Sequence, residues 1–60
     1  METIREILKR RDGASDSECD EMLGEARERI LNGDDPEEVC EEEFGLEPDY
    51  IFDDELLGAL

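Results

Sequence analysis

Carboxylates are the only side chains in this 60-residue sequence numerous enough to suggest chemistry, and they come in runs: Asp34-Asp35, Glu41-Glu42-Glu43 and Asp53-Asp54-Glu55. Oxygen-rich clusters of this kind can hold Mg²⁺ or Ca²⁺. None of the runs, however, has the alternating ligands, central glycine and terminal glutamate of a calcium loop, and adjacent acids on a helix point in different directions. They read as a solvated face, with no metal site. Histidine is absent, which removes the commonest general base, most transition-metal sites and every Ser-His or Cys-His arrangement. Cys19 and Cys40 are too far apart in sequence for a CxxC motif. Each falls on an apolar helical stripe, so both read as small buried thiols rather than a bridge. The expectation is a non-enzyme with no catalytic residues and no cofactor.

Length and charge narrow the class further. A chain of 60 residues makes one domain with a marginal core, too small for a deep substrate cleft, and dimerisation would enlarge that core. The formal net charge of −15 argues against direct binding to nucleic acid or an anionic membrane, both of which need a positive face. It leaves a basic surface on a partner protein, a high-salt habitat, or disorder. Apolar residues at helical spacing weigh against disorder. The charge is also uneven. Residues 1–15 balance to +1, with Arg5, Lys9, Arg10 and Arg11 against Glu2, Glu6 and Asp12, whereas the remainder, with only Arg27 and Arg29 as cations, carries −16. The first helix is therefore an electrostatic clamp, either within the body or between two chains. The first residues contain no apolar leader and no window approaches a membrane span, so a cytoplasmic location is expected.

Four helices are expected to carry these groups, at residues 3–12, 16–32, 35–44 and 48–57. Thr3 with Glu6 has capping-box spacing, Ile4, Ile7 and Leu8 share a face, and Gly13 ends the helix. The second helix starts at Ser15 or Ser17. Its stripe is Cys19, Met22, Leu23, Ala26 and Ile30, with Glu21, Glu25 and Glu28 opposite. Gly24 marks either a close helix approach or a tolerated surface position. Asp35-Pro36 opens the third helix, Val39, Cys40 and Phe44 face inward, and Gly45 closes it. Pro48 opens the fourth, which is apolar on more than one side. The fold class is thus all-α: a small bundle of three to four short helices, expected to be a homodimer sealed partly by its C-terminal segment.

Two surfaces are candidates for binding. Glu37, Glu38, Glu41, Glu42, Asp49, Asp53 and Asp54 can imitate a row of phosphates and occupy a nucleic-acid-binding groove on a partner, although each is also explained by solubility. Tyr50, Ile51, Phe52, Leu56 and Leu57 form an apolar patch for a dimer seam or a partner. For Tyr50 and Phe52, core packing stands equally open.

At Arg11-Asp12-Gly13, the serine-rich helix start after it and the run FGLEPDYI at residues 44–51, the chain resembles small acidic proteins encoded by bacteriophages and prophages. The resemblance spans most of the chain. It implies a helical, non-enzymatic phage accessory protein acting in the host cytoplasm, in company that includes anti-CRISPR and other anti-defence inhibitors. The expected function is stoichiometric inhibition of a host defence protein through a basic surface, as a nucleic-acid mimic. The alternative is a structural or adaptor protein docking through its apolar C-terminal patch.

Overall fold

In the computed structural model, which describes residues 2–59, the chain forms three α-helical segments followed by an irregular C-terminal stretch. Helix α1 is Ile4–Asp12 and α2 is Asp16–Leu31. Helix α3 begins as Pro36–Val39 and runs directly into a π-helical turn, Cys40–Phe44. Two 3₁₀ turns follow, Pro48–Phe52 and Leu57–Ala59.

The caps are local and do what their residue types allow. The Thr3 side chain accepts from the Glu6 N–H. Ser15, rather than Ser17, caps α2, and its capping box is closed both ways with Glu18. Asp35 accepts from the N–H of Glu37, with Pro36 in the first turn. Gly13 and Gly45 both take φ of 66°, the left-handed conformation that terminates helices at little cost only for glycine. The Gly45 N–H reaches the carbonyls of Cys40 and Glu41. The first of these bonds is the i→i+5 closure that makes the turn π rather than α.

One core lies where the segments meet: Ile4, Leu8, Cys19, Leu23, Ala26, Val39, Cys40, Phe44 and Leu56, with Met22, Ile30, Leu46, Tyr50 and Ile51 packed against it. The Cα radius of gyration, 10.3 Å, equals the roughly 10 Å of a single compact body of this length. Both cysteines are buried and unbridged. Among the described residues, a Cβ at the half-buried Gly24 would meet only Arg27, at 3.9 Å, so no close helix approach requires glycine there.

The expected fourth α-helix over residues 48–57 is absent. Pro48 does open a helical turn, but it is 3₁₀ and stops at Phe52, because Asp53 leaves helical geometry at φ −56°, ψ 137°. The reason is tertiary. Asp53 turns its carboxylate back onto α1, where Oδ2 accepts the Ile4 N–H at 2.8 Å, and Oδ1 accepts the Glu55 N–H at 2.8 Å. That geometry delivers Leu56 into the core at 0% exposure. The expected boundaries at residues 3–12, 16–32 and 35–44 otherwise correspond to α1, α2 and α3 with its π turn.

Candidate binding surface

The clamp inferred from the charge asymmetry is closed within the chain. The Arg5 guanidinium meets Glu55 at 2.8 Å, Asp16 at 3.2 Å and also Asp20, joining α1 to α2 and to the C-terminal stretch. Lys9 pairs with Asp16, and Arg10 with Glu2 at 2.8 Å. Arg11 pairs with Asp12 and donates to the Phe44 carbonyl at 2.7 Å, covering one of the orphan carbonyls at the end of the π turn. Arg27 donates to the Glu55 carbonyl at 2.6 Å. Arg29 holds Asp34, Glu42 and Glu43 at 2.7–2.9 Å. All six cations of the sequence are thereby engaged.

These contacts set the titration of the groups they hold. The Arg10 hydrogen bond lowers the Glu2 carboxyl, and Arg11 does the same to Asp12. Lys9 and then Arg5 lower Asp16. Arg5 and Arg29 are held still more firmly protonated, Arg5 chiefly by Glu55 and Arg29 chiefly by Glu42. Burial, and then the charge of Asp53, push the Cys40 thiol up, away from the reactive thiolate form.

Set against that internal network, the seven acids singled out by sequence separate into two kinds. Glu37, Glu38 and Glu41 are exposed on α3 and its π turn, and Asp49 and Asp54 are exposed in the C-terminal stretch; none of the five engages a cation among the described residues. Glu42 is exposed but tied to Arg29. Asp53 is half-buried and structural, since it accepts the Ile4 N–H beside the Thr3 cap. The seven do not form one face. Asp49, Asp53 and Asp54 line a cleft of about 420 Å³ together with Glu2, Thr3, Tyr50, Phe52 and Glu55. A shallower depression of about 280 Å³ lies elsewhere, between Glu25, Glu28, Arg29, Asn32 and Glu43. Sequence reasoning passed over Glu2, Glu25 and Glu28 as site residues. The i, i+4, i+7 spacing of Glu21, Glu25 and Glu28 was the available signal for the last two.

The apolar patch is also divided. Leu56 belongs to the core, not to a surface. Tyr50, Ile51 and Leu57 are half-buried. Phe52 stands out at 77% exposure. In a 3₁₀ turn, residues three apart eclipse, so Asp49 and Phe52, both exposed, share one side of the turn. An exposed phenyl ring thus lines the same cleft as Asp49, a carboxylate that engages no cation among the described residues. Among the described residues, no three His, Cys, Asp or Glu side chains are placed to hold a metal ion, and no helix is long and apolar enough to cross a membrane. Compared with protein-family models, curated proteins and solved structures, the chain matches none.

Proposed function

We propose that this protein is a non-catalytic, stoichiometric inhibitor that occupies a basic, nucleic-acid-handling site on a host defence protein. The observation that carries this reading is the engagement of all six cations inside the fold. Among the described residues, the carboxylates of Glu21, Glu25 and Glu28 on α2 and of Glu37, Glu38 and Glu41 on α3 and its π turn pair with no cation. Surfaces of this kind are attracted to basic grooves and repelled by phosphates. The phage setting, the host cytoplasm and the anti-defence role rest on the resemblance carried by RDG and FGLEPDYI.

A second reading is favoured by the exposed Phe52: an adaptor or a homodimer that docks through Phe52 with Tyr50, Ile51 and Leu57, its acidity serving solubility alone. Salt separates the two. We expect the tagged protein to capture one basic host protein, to lose it at least about tenfold between 50 and 200 mM salt, and to be displaced by duplex DNA. Reversing Glu21, Glu25 and Glu41 to Lys, which spares the first-turn acids of α3, should abolish capture with helicity retained. Asp53 is unsuitable for such a reversal, because its carboxylate accepts the Ile4 N–H and ties the C-terminal stretch to α1. Salt-resistant capture that survives the triple reversal and fails in Phe52→Ala would establish the adaptor reading instead.

A further inference from the structure

We propose that the cleft between the start of α1 and the Pro48–Phe52 turn receives an arginine side chain from the basic partner, with Phe52 as its stacking platform. This rests on the inhibitor reading and names the anchor point within it. Three features of the cleft converge. Its volume, about 420 Å³, lies in the range of pockets that enclose a side chain or small ligand. Its apolar wall includes the Phe52 ring, 77% exposed. Its charge is only partly used within the fold: Glu2 is taken by Arg10, Glu55 by Arg5 and Asp53 by the Ile4 N–H, whereas Asp49 and Asp54 engage no cation among the described residues.

The acids alone would attract any cation and the ring alone any apolar group. Together they fit a planar guanidinium, which can lie on an aromatic face while its N–H groups reach carboxylates at the edge. A lysine ammonium is a more strongly hydrated point charge and stacks less well. A second copy of this chain is disfavoured as occupant. All six of its cations are already engaged within the fold, so self-pairing here would set Asp49 and Asp54 of one copy against those of the other.

The test is an NMR titration of the full-length, ¹⁵N-labelled chain at low salt with the peptide acetyl-Gly-Arg-Gly-Arg-Gly-amide and its lysine counterpart. Amide shifts should concentrate at residues 2–3 and 49–55, with the arginine peptide bound more tightly. Phe52→Ala should weaken it roughly three- to tenfold and remove the preference for arginine, and Asp49→Asn with Asp54→Asn should weaken both peptides. Glu37→Gln with Glu41→Gln should leave the peptide Kd unchanged. Shifts spread over the acids of α2 and α3, with Phe52→Ala neutral, would overturn the cleft assignment while sparing the inhibitor reading. Absence of binding would overturn it as well, as would peptide-free shifts of residues 49–55 that grow with protein concentration, which would identify a second copy as the occupant. Arginine uptake at the cleft without salt-sensitive capture of a basic host protein would instead remove the inhibitor reading alone.

Discussion

Leu56 and Phe52 lie four residues apart and have opposite fates. Leu56 is in the core with Ile4, Leu8 and Phe44 at 0% exposure, and truncating such a side chain costs about 2–5 kcal/mol. A core this small supplies on the order of 3–5 kcal/mol in total. Leu56→Ala should therefore be largely unfolded at 25 °C by far-ultraviolet circular dichroism, whereas Phe52→Ala should change stability by no more than about 0.5 kcal/mol. Helical periodicity located Cys19, Leu23, Ala26, Val39, Cys40 and Phe44 in the core. It could not separate Leu56 from Leu57, because the 3.6-residue period has no meaning in a stretch that is not an α-helix. Sequence reasoning placed Asp53 on the acidic binding face and missed its structural role for a related reason. Its role is set by Ile4, 49 positions away, and no local pattern carries that meeting.

Helices α1 to α3 were legible because their ends are written in adjacent residues: Thr3, Ser15 and Asp35 as caps, Gly13 and Gly45 as stops. The π turn was not, since a run of three glutamates contains nothing that asks for a widened turn. The clamp on α1 gives this scale a pH dependence. Glu2, Asp12 and Asp16 are all lowered by neighbouring cations from ordinary values of 4.5 for glutamate and 3.8 for aspartate. Each is ionised more readily folded than unfolded. Each therefore stabilises the fold above its unfolded value and loses that contribution as pH falls through its lower, folded value. Thermal melts should show these pairings intact at pH 5 and above and failing below about pH 4. Lys9→Ala, which takes away the first of the two cations that lower Asp16, should blunt the fall.

A formal charge of −15 on so small a body makes self-repulsion the dominant long-range term for the molecule as a whole. Exposed ion pairs are worth about 0–1 kcal/mol each and also weaken in salt, so the two effects oppose one another. With carboxylates outnumbering cations 21 to 6, relief of repulsion should win. The melting temperature should rise between 20 and 500 mM NaCl, and a fall would show that the clamp outweighs the repulsion. The hydrogen bond from the Ile4 N–H to Asp53 has a consequence in time as well as in space. Thr3 caps α1 locally, yet the acceptor of its Ile4 N–H and the leucine that completes its core are made about fifty residues later. These late partners, unlike α2, wait on closure of a loop nearly as long as the chain. On the ribosome, α1 can pair with α2 through Arg5, Lys9 and Asp16 as soon as α2 emerges, and the arrival of Asp53 and Leu56 closes the fold last.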